Sequence, residues 1–214
     1  MLDDDCSHGR SVSGEAVCPH RPRSATWVEL DTRDGLSCHD AFEAVERRCD
    51  VADDEVDFAV AAWREDGRWS VSALPPRATT SLNSFTAALR QLTAEGGALG
   101  FLAVDEEFFI AVRVTPDGAT RLVLSDLNAA YEWPIAEEAA ELLEVDLPDD
   151  EEEIDELEPT GDITLFADLG VTVDEMELIL GDPDLYPDEQ VTSIATRIGF
   201  GEQLSTVLES LDKD

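Results

Sequence analysis

Cysteine and histidine are the side chains best equipped for metal binding or nucleophilic chemistry, and this chain confines them to its first 54 residues. Cys6-Ser-His8 and Cys18-Pro-His20 form two similar pairs, and Cys38-His39 and Cys49 add further soft ligands. Structural zinc needs four such ligands brought together, commonly through closely spaced C-x₂₋₄-C and H-x₃₋₅-H pairs. No C-x-x-C pair is present, and the spacings match no zinc module. The expected state is therefore an irregular leader with free thiols, and a zinc site built from Cys6, His8, Cys18 and His20 is the alternative. A disulfide framework would need an oxidising compartment, and Met1-Leu2-Asp3-Asp4-Asp5 does not read as a secretory signal.

The remaining chemistry is sparse. No histidine follows His39, which removes Ser-His-Asp and Cys-His sites from everything after it. There is no G-x-x-x-x-G-K or G-x-G-x-x-G phosphate loop and no G-x-S-x-G elbow. Asp182-Pro-Asp184-Leu-Tyr-Pro-Asp188-Glu189 looks calcium-like. It lacks the acid or Asn at the fifth position, the Gly at the sixth and the Glu at the twelfth, so it reads as a helix-flanking turn. Carboxylate pairs are too numerous to single one out, because acid–base work needs burial or coupling that shifts a pKa. No cofactor is expected. Trp63, Trp69, Phe108, Phe109 and Trp133 fit core positions better than a pocket. Phe108 and Phe109 are adjacent, so they face opposite sides of a strand, and one of them needs a second layer to cover it.

The elements that would position these residues are legible. Asp57–Trp63 is an apolar strand, Asp66-Gly67 a hairpin turn, and Trp69, Val71 and Ala73 alternate along the next strand. Leu82, Phe85, Leu89 and Leu92 recur at helical spacing behind Thr79-Thr80-Ser81. Leu99–Val104 and Glu107–Val114 form a second hairpin, and Thr120–Leu124 follows the turn Pro116-Asp117-Gly118. Residues 126–144 read as a helix that Pro134 should kink or break. The order β-β-α-β-β-β-α predicts an α+β fold. It consists of one five-stranded antiparallel sheet with helices on one face, similar in order to longin, profilin and roadblock-like modules once a short helical stretch near Asp40–Arg48 is counted.

A small all-helical segment follows. Thr172-Val-Asp-Glu175 fits a capping box, Pro187 opens a second helix, and Leu204, Val207, Leu208 and Leu211 mark a third. The expected organisation is a leader over 1–54, an α+β domain over 55–145, an acidic linker over 146–161 and a helical domain over 162–214. About 50 residues make only a small core, so the helical part is expected to dock on the sheet or on a partner.

Charge limits the partners. The chain carries 50 Asp and Glu against 14 Lys and Arg, a net −36. From Leu122 to Thr196 there are 24 acids and no Lys, Arg or His. Phosphate backbones are bound by cations that displace counterions, so direct nucleic-acid binding is not expected. Basic protein surfaces are the fitting partners. A halophile's acidic surface would spread the charge evenly, whereas here the basic residues cluster before Arg121. No apolar run is long enough to cross a membrane, and the default location is the cytoplasm.

Several of these segments together resemble the tRNA adenosine deaminase-associated proteins of actinobacteria. The segments are Asp57-Phe-Ala-Val-Ala-Ala-Trp63 with Asp66-Gly67-Arg-Trp69, the run Phe101–Val114, Leu124-Ser-Asp126, and Leu165-Phe-Ala-Asp-Leu-Gly170. The resemblance covers about residues 56–212 and rests on the order of elements. It implies association with a deaminase and not deamination, since H-x-E followed by P-C-x-x-C is absent. It carries no catalytic residue over. Family members begin close to the first strand, so residues 1–50 are read as an annotation artefact, with translation starting near Val51 or Val56.

The resulting expectation is a non-enzymatic accessory protein that docks on the basic face of a tRNA adenosine deaminase. Tyr131 and Trp133 at the helix break are candidate anchors. Asp149, Asp150, Glu151, Glu152 and Glu153 form a candidate acidic strand that imitates phosphate, or else a solvated tether. The alternatives are a small-ligand sensor built on the sheet and a general acidic interaction module with no link to tRNA editing.

Overall fold

The computed structural model describes residues 56–92, 96–147 and 157–211. Their centre is an antiparallel sheet of β1 (Val56–Glu65), β2 (Arg68–Ala73), β3 (Ala98–Val104), β4 (Phe108–Val114), β5 (Thr120–Leu124) and β6 (Thr160–Gly161), in the order β2-β1-β3-β4-β5-β6. The class is α+β, as the sequence predicts. The sheet has six strands rather than five, because Thr160-Gly161 at the end of the acidic segment pairs with Leu124 and Val123.

The hairpins follow from local chemistry. Asp66 and Gly67 both take positive φ, 49° and 76°, the two-residue turn whose twist matches the flanking strands. Asp105 and Glu106 also take positive φ, 50° and 55°, in the three-residue β3–β4 turn Asp105–Glu107, without a glycine. There the Asp57 carboxylate accepts the Glu106 N–H at 2.7 Å.

All seven residues of β3 and all seven of β4 are buried. Strands read this way when both faces of the sheet are covered. One face carries α1 (Leu82–Arg90), α2 (Ala129–Glu132) and α3 (Pro134–Leu142). Ser81 caps α1, its hydroxyl accepting the Ser84 N–H at 3.1 Å. Leu82, Phe85 and Leu89 then sit on Leu102, Ile110 and Val112. Gly100 lets α1 approach, since a Cβ there would lie 2.6 Å from Leu89 and 2.8 Å from Phe85. Pro134 breaks the predicted long helix. Trp133 before it is extended (φ −111°, ψ 115°), and Pro134 starts α3 at its first position.

The other face carries α4 (Val173–Leu180), α5 (Pro187–Ile198) and α6 (Gly201–Leu211). Thr172 forms the expected capping box with Glu175. Phe166 stacks on Phe101 at 5.7 Å, and Phe200 lies 5.2 Å from Trp69 and 6.0 Å from Phe101. Phe58, Phe101 and Phe109 of the sheet share one core with Met176, Ile194 and Leu204 of these helices. Phe108 points to the first face and Phe109 to the second, and both are fully buried.

Candidate partner-binding surface

Two arginines fix where the acidic segment lies. Arg113 on β4 and Arg121 on β5 are cross-strand partners. Arg113 is 7% exposed. Its guanidinium donates to the Leu165 carbonyl at 2.9 Å and forks onto Asp168, with Nη2 to Oδ2 at 2.7 Å. Arg121 donates through Nε to Asp162 and through Nη2 to the Thr164 hydroxyl at 2.8 Å. The arginine hydrogen bonds hold both aspartates below the ordinary carboxylate pKa, against the opposing pull of partial burial. Glu175 is lowered mainly by the Thr172 N–H and hydroxyl, with Arg197 adding to it.

These contacts account for the only three ion pairs among the described residues: Arg113–Asp168, Arg121–Asp162 and Arg197–Glu175. The other described acids of residues 122–196 face solvent or accept hydrogen bonds from neutral donors, and their charge is uncompensated.

Acids from inside and outside this stretch rim a cleft of about 300 Å³ at one end of the sheet. Glu106 and Glu107 come from the β3–β4 turn, and Asp184 and Tyr186 from the loop that opens α5. Tyr186 is 58% exposed, and Leu157 beside it is also exposed. The floor holds two buried polar side chains, Ser125 and Gln190. Ser125 Oγ accepts the Phe109 N–H at 2.8 Å, and Gln190 Nε2 donates to the Ile179 carbonyl at 2.9 Å. No histidine lies among the described residues, so Ser125 has no imidazole base beside it. Three acids around an aromatic and an apolar wall favour cations over anions. No group of three or more His, Cys, Asp or Glu placed to hold a metal occurs among the described residues.

The anticipated anchors sit elsewhere. Trp133 is half-buried, its ring 6.1 Å from Phe108. Its indole Nε1 is buried and finds no acceptor among the described residues. Tyr131 is half-buried at the same break. Asp149 to Glu153, and Cys6, His8, Cys18 and His20, lie outside the described residues. Sequence reasoning missed the cleft, although it read Asp182–Glu189 as a helix-flanking turn. Such a turn exposes Tyr186, which then has an acid on either side in the chain, Asp184 and Asp188.

The described residues form an acidic, three-layer α+β fold. The chain belongs to the Rv3753c-like tRNA adenosine deaminase-associated protein family, whose profile matches residues 57–201. It is similar to Protein Rv3753c of Mycobacterium tuberculosis (strain ATCC 25618 / H37Rv), with 43% identity over 164 residues, 76% of this chain and 94% of that protein. No solved structure matches the chain. The family's description places it with a deaminase and does not describe it as one. Among the described residues, no helix is long and apolar enough to cross a membrane.

Proposed function

We propose that this chain is a non-catalytic accessory protein that docks, in the cytoplasm, on the basic face of a tRNA adenosine deaminase. One observation carries the reading. Within the 75-residue basic-free stretch, the part from Thr160 onward packs back onto the sheet with Asp162, Asp168 and Glu175 neutralised, and the other described acids of the stretch carry no counter-charge. An enzyme that binds tRNA must present cations to phosphate, and such a surface complements this one. Electrostatic complementarity of this kind speeds encounter and weakens with salt. The acid-rimmed cleft with Tyr186 and the helix break with Tyr131 and Trp133 each set an aromatic side chain among acids. The segment Asp149 to Glu153 extends the same charge.

The test is calorimetric titration of the full chain into the host's purified deaminase, at low and moderate salt, with and without tRNA. The expected result is binding that weakens as salt rises and is lost when tRNA occupies the enzyme. Binding that tRNA leaves unchanged would move the docking face away from the tRNA site. No binding in any condition would sink the proposal.

A further inference from the structure

The two edges of the sheet are treated differently. At one end β6 is two residues long and follows Glu158 and Pro159. A short strand flanked by a charge and a proline protects an edge against pairing. At the other end β2 runs for six residues, Arg68–Ala73. It has no Lys, Pro, acid or bulge along it, and Arg68 is its only charge.

Hydrogen-bond accounting shows what β2 leaves open. The Leu74 N–H reaches the Ala59 carbonyl on β1 at 2.8 Å. In an antiparallel ladder every second residue points the same way, so Ser72, Ser70 and Arg68 also turn their backbone groups toward β1. Trp69, Val71 and Ala73 therefore turn theirs outward. None of the three makes a backbone hydrogen bond on that side among the described residues. Their side chains do not block the edge. Trp69 and Val71 lie against the core on the α6 face, and Ser70 and Ser72 stand on the opposite face.

Charge selects the occupant. β2 and α1 lie within Gly67–Ala94, a run of 28 residues with no Asp or Glu, in a chain of net −36. A basic partner is drawn to the acids and gains nothing here. Self-association has the opposite requirement. A two-fold contact places the same patch on both sides, so copies carrying this charge meet most easily where acids are fewest. We propose that the free edge of β2 pairs antiparallel with β2 of a second copy, continuing the sheet across a two-fold axis and leaving both acidic surfaces outward.

Sedimentation equilibrium of the full chain over a range of concentrations and salt tests this. The expected species has twice the 23.4 kDa chain mass, and its dissociation weakens as salt rises, because screening relieves repulsion between the copies. Deaminase docking should respond to salt in the opposite sense, so the two readings fail separately. Ala73→Pro removes an outward donor, and Pro is tolerated on an edge strand whose N–H faces solvent. It should weaken the dimer at least tenfold while leaving the melting temperature of the dilute monomer unchanged. Ser72→Glu should weaken it too, through like charge near the axis, and high salt should partly restore it. A chain that stays monomeric throughout overturns the proposal. So does a dimer that Ala73→Pro leaves intact or that dissociates with salt, since that contact joins acids to Arg68, Arg77 or Arg90. Loss of deaminase binding in an Ala73→Pro chain that is monomeric before the substitution would assign the edge to the enzyme and overturn the second copy as occupant.

Discussion

The two faces of the sheet are each covered by three helices, held in different ways. The face under α1–α3 is closed by elements threaded between the strands. It is largely apolar, with polar ties from the Leu82 N–H to the Glu138 carboxylate at 2.7 Å and from Arg90 Nη2 to the Thr120 hydroxyl at 3.0 Å. The face under α4–α6 is closed by a segment that arrives after the five long strands are complete, and it adds Arg113–Asp168 and Arg121–Asp162 to its apolar contacts. Apolar burial is non-directional, so burial alone does not dictate where a late, acid-rich segment comes to rest. A forked arginine pair does, because its geometry fixes position as well as energy.

The largest effects should come from truncating the aromatic floor of each face. Phe101→Ala and Phe85→Ala should each lower the unfolding free energy by about 3–5 kcal/mol in urea titrations. The comparison sharpens if hydrogen exchange after Phe101→Ala rises first in α4–α6 and after Phe85→Ala first in α1. Equal loosening of both layers by both variants would mean that the faces are not separately held.

Asp168→Ala should cost about 1–2 kcal/mol, because it leaves the buried Arg113 guanidinium short of partners. The exposed side of Asp168 keeps the figure at the low end. Arg113→Met in the same background should recover part of the loss, as an apolar chain tolerates that burial better than an unpaired cation. The Asp162 and Asp168 pKa values are depressed in the folded state, so their contribution is complete above the ordinary value of 3.8 and is lost as pH falls through the lower folded values. Urea midpoints should drop steeply below about pH 4, and Asp162→Asn with Asp168→Asn should flatten that drop. The smallest effects are the matched caps, Ser81→Ala on one face and Thr172→Ala on the other. Each should cost about 1 kcal/mol in thermal melts.

Much of the first face could be read from sequence, because local rules dominate there. Asp66-Gly67, Ser81 and Pro134 each act within a few residues, and Leu82, Phe85 and Leu89 mark their own face by spacing. The second face was only half legible. Phe108 beside Phe109 showed that another layer was needed, and the capping box at Thr172 located a helix for it. The docking itself depends on Arg113 meeting Asp168 and Arg121 meeting Asp162, 55 and 41 residues apart, and no local pattern reports such a pairing. The sixth strand hid for a related reason. Thr160-Gly161 has no strand period of its own, and Gly161 fits against Leu122 because a Cβ there would come within 2.6 Å of that carbonyl. The cleft brings together residues from Glu106 to Gln190 and was not legible at all.

Phe101 and Phe109 lie on strands finished by Val114, yet the side chains that shield them, Phe166 through Leu204, are made last. A nascent chain lengthens at about 5–20 residues per second, so the ~50 residues of the helical segment take roughly 3–10 s to appear. For that interval the half-built protein carries a bare aromatic sheet face on the ribosome. The acids of residues 126–158 precede the helices in the chain, so the unfinished chain already carries their negative charge. The same residues that suit the finished protein to a basic partner would then serve first to keep unfinished copies apart.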